Sequence, residues 1–489
     1  MVGIGAFFST LGNAFFYNRS NWLSRGLNLC ILLGLYMIGL YQWAEFMNWG
    51  EITFDRLDWW NVTGPQLAAW HAALQNGTLP FHAEIYDNII GTSWRFLYRP
   101  DVNLSPQVLL LTWVSPGIFV LINTLILYTI GFLGLLKIRT NLRLSIAAFI
   151  PMFFLFNLNG HIIAHLSVGH IMWLGYFFLP FFILLVLQLV FGQVTGWKWT
   201  AGIALILFLV LLQGSFHIFI ICYLFLLLLI PFLLQQWQRL VISLISTLFL
   251  SMNRLLPGIL AARDGYSQIE FLSGFTTLDE LLRSLVTLVP PERALDSLTR
   301  INWLVAWWEF DHYIGWVGLA FILFFGIIYW LRDKQTSKAW LALYGPIALL
   351  VFFSIGRLYK VFVVAQIPLL SIERVTSRLL ILPLLFLIIM ASIGLQRYLD
   401  QKQPSALIRL SGVVLFLILL NDLLQHREVW MVNQLEFAVL PEMAHPEIQI
   451  TTYSDPLYFA FLSAGWIITV LSGILLGVLV AREKKPMKS

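Results

Sequence analysis

Charge is scarce in this chain. Asp, Glu, Lys and Arg make up 11% of its 489 residues and hydrophobic residues 59%, whereas soluble domains carry about 25% charged residues. That shortage excludes a soluble globular fold, which has no room to bury so much apolar surface. Cysteine is nearly absent. Cys30 and Cys222 both fall in apolar runs, which excludes a disulfide framework and a cysteine metal site. The N-terminus has no short apolar stretch with a cleavage site, so the run starting near Leu27 reads as a retained helix. Internal repeats are lacking too. Pro151, Pro180, Pro231 and Pro257 do not form the matched, broken helix pair that marks many transporters. The net charge of +5 is no nucleic-acid signal, because its carriers sit between apolar runs.

What the chain has is long, continuous apolar runs. Lipid requires every backbone polar group to be satisfied internally, so only helices or closed barrels cross it. Continuous rather than alternating runs mean helices. Twelve runs stand out, at about 27–46, 117–136, 144–158, 171–191, 199–213, 216–234, 240–260, 313–331, 339–356, 379–395, 408–424 and 459–480. The expected fold is therefore all-α: one integral membrane domain, 1–489, built as a bundle of about twelve transmembrane helices. Runs 144–158 and 199–213 are short for a span of about 20 residues.

Basic residues orient the bundle. With a cytoplasmic N-terminus, the inner segments hold 17 of the 30 basic residues, among them Arg139, Arg143, Lys198, Arg332 and Arg482, and only Asp333, Asp400 and Glu483 of the acids. Both termini are then cytoplasmic. The long segments, 47–116 and 261–312, face outward, with shorter ones at 357–378 and 425–458. The expected working surface is extracytoplasmic, on a cell inner (plasma) membrane.

The first outer loop opens with Asp55 and Asp58, whose i, i+3 spacing fits one helix face. A helix follows in GPQLAAWHAALQNG, with Leu67, Trp70, Ala73 and Leu74 as an apolar stripe suited to lying in the lipid interface. The bland reading of either aspartate is a solvated loop charge. The stretch GHIIAHLSVGH, Gly160 to His170, carries three of the nine histidines. His161 and His165 share a helix face, and this reading places all three in the outer turn after the third run. A zinc site would need a third ligand, and the glutamate of the HExxH signature is missing. A divalent ion held by Asp58 and a histidine stays open, beside plain hydrogen-bonding groups lining a polar vestibule. In WWEFDHY, Glu309, Asp311 and His312 stand among Trp307, Trp308 and Tyr313; an aromatic belt is favoured over sugar recognition. Gln213, Ser215 and His217 form a smaller polar cluster.

Several short motifs run in a recognisable order. The first helix is followed by an outer loop with an early aspartate, then Gly77, Leu79, Pro80, then Leu104, Ser105, Pro106. Gly169, His170, Trp173, Leu179 and Pro180 follow, then LLPGILAARDGYSQIEFLSGF, HYIGWVGL and SIERVTSR. This order resembles the GT-C superfamily of membrane glycosyltransferases, and within it the bacterial YfhO-like membrane proteins. The resemblance implies a polyprenyl-phosphate sugar donor taken from the outer leaflet. It also implies a catalytic or acceptor-orienting aspartate in the first outer loop, Asp58 or Asp55, with Asp58 favoured.

Such transfer needs a base for the acceptor hydroxyl and groups that stabilise the departing phosphate. Arginine suits the second task. Arg374 and Arg378 would share a face if their helix starts early. Arg254 lies within an apolar run, and Arg263, Arg357 and Lys360 lie near. Snorkelling, or pairing with Glu373 and Asp264, is the bland alternative. His170, with His165, is expected to line the sugar or phosphate site. The competing readings are a transporter or lipid flippase, for which Asn123, Asn253 and Arg254 are the nearest intramembrane polar groups, and an acyl or phosphoryl transferase using His161, His165 or His170 as base.

Overall fold

The computed structural model describes residues 12, 15–17, 22–85, 95–193, 196–261, 273–288, 307–332, 338–367, 370, 373–433, 448–451 and 453–483. Helices dominate them. In chain order the ones that matter are α1 (Trp22–Phe46), α2 (Gly64–Gln75) and α3 (Pro116–Asn141). Next come α4 (Ile146–Ser167), α5 (Ile171–Val190), α6 (Trp197–Leu212), α7 (Phe216–Phe232) and α8 (Leu234–Leu250). Then follow α9 (Met252–Ala261), α10 (Gly315–Arg332), α11 (Lys338–Phe353), α12 (Thr376–Lys402), α13 (Ala406–Val429) and α14 (Pro456–Arg482).

The expected twelve spans are corrected to fewer. Among the described residues eight helices are long and apolar enough to cross a membrane: α1, α3, α4, α5, α10, α12, α13 and α14. A ninth arises if α7 and α8, which meet at 114°, form one broken span. Pro231 sits at that break, where it offers no backbone donor. Helices α6 and α11 are apolar but have 16 residues each. At 1.5 Å per residue they reach about 24 Å, short of a hydrocarbon core of about 30 Å. The apolar runs were real, but hydropathy alone does not separate a crossing helix from a short or bent one.

Packing sorts the helices. Of the apolar window of α12, 89% is buried, against 11% for α13. Helices α1, α13 and α14 expose Leu33, Met37, Leu407, Leu410, Ile467 and Leu471. Water would not tolerate such faces, and lipid does. The chain is a polytopic helical membrane protein.

One end of the bundle gathers the polar groups. Helices α1, α4 and α13 finish there; α5, α7, α10 and α12 begin there. Trp43 Nε1 donates to Asn157 at 3.4 Å and Arg427 to Glu45 at 2.5 Å, tying the ends of α1 and α13 together and α1 to the middle of α4. The described residues of the loop between α1 and α3 pack onto the same end through Asp58, Trp59 and Thr63. The apolar stripe of α2, expected to face a lipid interface, packs on the protein itself: Leu67, Trp70 and Ala73 are buried. Trp70 is 4% exposed and edge-on to Phe96, and the His71 ring bonds the Leu111 carbonyl at 2.7 Å. A two-stranded antiparallel ribbon, β1 (His82–Ile85) with β2 (Ile448–Thr451), pairs His82 with Thr451 and ties this loop to the segment before α14.

Candidate functional site

The site begins where the third apolar run fails to stop. Asn159 accepts a hydrogen bond from the His161 backbone N–H at 2.9 Å and so restarts the helix after Asn157. The run therefore continues through GHIIAHLS to Ser167. His161 and His165 are fully buried on its last turns, not in an outer turn as the sequence predicted. The physical reason is that the helix restarted at Asn159 carries both rings inward, where they pack against Trp173.

Two glycines frame the stretch, and each admits another segment. A Cβ on Gly160 would lie 2.1 Å from Asp311 Oδ1 and 2.3 Å from the Tyr313 nitrogen; its absence lets the Asp311–Tyr313 strand of backbone lie against the helix. A Cβ on Gly169 would lie 2.2 Å from the Trp59 nitrogen, and Gly169 also holds φ at +97°. The first loop docks there. Asp58 N–H donates to the Val168 carbonyl at 3.1 Å, Trp59 Nε1 to Ser167 at 2.8 Å and Thr63 to Gly169 at 2.5 Å. Phe54 and Leu57 reach this position through positive φ values of 52° and 46°, a strain of roughly 1–3 kcal/mol each.

The docking aligns a row of titratable groups. The Asp58 carboxylate bonds His170 Nε2, and His170 Nδ1 meets His165 Nδ1 at 2.7 Å. His165 Nε2 stands 3.6 Å from Glu309. Arg378 grips Glu309 with two bonds of 2.7 and 2.6 Å, lies 3.1 Å from His217 Nε2 and 3.5 Å from Glu373, and stacks over Trp173. His217 in turn bonds Glu373 at 2.7 Å. Burial pushes the Glu309 carboxyl up, but the Arg378 guanidinium outweighs it and holds the group down at about 2. Glu373 is likewise held low against its burial, by His217 and Arg378. Burial depresses His312 to about 4, so its ring is neutral at pH 7. Exposure singles out one member: the Asp58 side chain is 32% exposed, Glu309 6% and Glu373 0%.

A second knot backs the first. Asp311 accepts from the Tyr313 N–H, His426 Nε2 and Trp430 Nε1, all at 3.0 Å. His161 lies between the knots, its ring 4.3 Å from His165, 4.4 Å from Trp173 and 4.8 Å from His312. Both ring nitrogens of His161, and Nε2 of His165 and of His312, are buried with no hydrogen-bond partner. Each such group costs about 1–3 kcal/mol unless something else meets it. His165, His170 and Glu309 are also the group able to hold a metal ion among the described residues, with one donor atom of each within 4.8 Å of the others.

The remaining sequence-predicted residues fall as follows. Asp55 does not share a helix face with Asp58. It lies before the helical turn, 51% exposed, beside Thr53 and 3.4 Å from Arg56. The segment Glu309–Tyr313 is no lipid-facing aromatic belt: Trp307, Glu309, Asp311 and His312 are all buried inside the protein. Arg374 and Arg378 part company, because Ser273 bridges to Val375 and holds 373–375 extended, so α12 starts only at Thr376. Arg378 turns inward and Arg374 is exposed. Arg254 is buried on α9, and its guanidinium donates to the carbonyls of Leu97, Arg99, Pro100 and Val102. That fastens the loop before α3 and places Arg254 outside the Asp58 row. Arg263 lies outside the described residues. Sequence reading passed over His426 and Trp430, and took Glu373 only as an arginine partner. The available signal was a charge or imidazole flanked by apolar residues at a helix end. No protein-family model, curated protein or solved structure matches this chain.

Proposed function

We propose that this chain is a membrane glycosyltransferase in which Asp58 is the general base. The donor is a polyprenyl-phosphate sugar, and the working face is the extracytoplasmic side of the plasma membrane. The acceptor is a hydroxyl on a lipid, glycan or cell-wall polymer. Asp58 takes the hydroxyl proton, the acceptor oxygen bonds the anomeric carbon, and the bond from that carbon to the phosphate oxygen breaks. The lipid phosphate leaves.

The observation that carries the reading is the contrast in exposure along the row. A base must reach an acceptor proton, and Asp58 alone of the three carboxylates is open while Glu309 and Glu373 are sealed by Arg378 and His217. His170 orients Asp58 from behind. An apolar cleft of about 190 Å³ opens beside the same loop, lined by Phe54, Trp60, Pro65, Ala68, Pro116 and Ile448, and is suited to an isoprenoid chain. Arg139, Arg143, Lys198, Arg332 and Arg482 stand at helix ends opposite the cluster, which supports an outward-facing site. The test is donor consumption by the purified protein on a panel of polyprenyl-phosphate sugars. A folded protein that consumes none of them, with a range of acceptor alcohols, removes the donor class.

A further inference from the structure

We infer that His165, His170 and Glu309 bind one divalent transition-metal ion, with zinc the ion that suits the donors. The inference does not rest on the transferase reading, and its readout is the ion itself.

Geometry comes first. All three residues are buried, and one donor atom of each lies within 4.8 Å of the other two. His165 Nε2 and Glu309 Oε2 are 3.6 Å apart, close to the separation of about 3.4 Å expected for two tetrahedral ligands at zinc. His165 Nε2 is buried without a hydrogen-bond partner, so its lone pair or proton is unmet by the protein.

The surroundings also fit. The His170 Nε2 pairing with Asp58 is the arrangement that orients metal-bound imidazoles, a carboxylate on one ring nitrogen leaving the other for the ion. That other nitrogen, Nδ1, faces the His165 ring at 2.7 Å, so an ion competes with His165 for one lone pair. Arg378 does not block Glu309, since a carboxylate offers about four lone-pair directions and Arg378 uses one on each oxygen.

Charge decides between ions. Asp58, Glu309 and Glu373 are three carboxylates facing one guanidinium, Arg378. Acidic groups therefore outnumber the fixed cation in this cluster, a setting that suits a dication. Imidazole with carboxylate favours zinc over magnesium or calcium, which prefer all-oxygen shells. Asp58, being partly exposed, marks the entry side.

The experiment uses the full chain in detergent with any affinity tag removed. The protein is stripped with chelator, loaded with Co²⁺, and followed by metal analysis and visible absorption. One cobalt per chain, with ligand-field bands displaced by Zn²⁺, is the expected result. His165→Ala and His170→Ala should each abolish the bands, and His71→Gln, outside the cluster, should keep them. A folded wild-type chain that takes up neither ion overturns the inference. Uptake that survives in the double variant His165→Ala/His170→Ala overturns it equally.

Discussion

Replacing Arg378 by Met should destabilise the protein by about 3–5 kcal/mol, the cost of removing one partner from a buried ion pair. The structure gives the reason. The Arg378 side chain is 8% exposed, and it supplies both short bonds to Glu309 and the 3.5 Å contact to Glu373. Methionine fills much of the same volume but leaves Glu309 and Glu373 ionised and enclosed. Arg378→Lys keeps the charge yet loses the two-pronged grip, so it should fall between wild type and Arg378→Met. Adding Glu309→Gln to Arg378→Met removes one of the stranded charges and should recover at least about 1 kcal/mol through coupling. The assay is reversible unfolding in mixed detergent–SDS micelles, run as a double-mutant cycle. If Arg378→Met stays within about 0.5 kcal/mol of wild type, the range of an ordinary surface substitution, then the pair is not buried as described and the row has no fixed anchor.

Gly169→Ala places a Cβ against the Trp59 nitrogen at a φ of +97°; it should cost about 1–2 kcal/mol from handedness alone and displace Asp58 from His170, seen as lost transfer alongside a lowered melting temperature. His170→Ala should lower transfer by freeing the Asp58 carboxylate that His170 bonds, and His170→Gln, which can keep a donor there, should recover part of the rate. Acid should destabilise the protein in two windows, read from melting temperatures across a pH series. His312, about 4 when folded against an ordinary 6.5, contributes stability that is complete above pH 6.5 and lost as pH falls through 4, about 3 kcal/mol in all. Glu309, about 2 against 4.5, holds its contribution until pH drops below 4.5 and loses it through 2.

The helical membrane architecture was legible because long apolar runs have few other outcomes. Span number was not, since a run such as 199–213 looks alike whether it crosses or only packs, and the Pro231 bend between α7 and α8 is a geometric fact that composition does not carry. Of the site, Asp58, His165, His170, Glu309 and Arg378 were each legible as polar residues out of place among apolar ones. Their partnership was not. Asp58 and His170 are 112 positions apart and Arg378 and Glu309 are 69, so only the folded bundle pairs them. The histidine stretch misled for the same reason: polarity looks like a helix end until the buried partners are known. Arg254 misled in the opposite sense, because four backbone carbonyls can occupy an arginine as fully as a phosphate.

The central claim is that Asp58, and not its neighbour Asp55, accepts the proton. It is tested most directly by single-turnover transfer from a polyprenyl-phosphate sugar with Asp58→Asn and Asp55→Asn compared at equal folded concentration. Asp58→Asn should lose about 10²–10⁴-fold in rate, the range for a general base, while Asp55→Asn should stay close to wild type. Equal rates for Asp58→Asn and wild type would contradict the account.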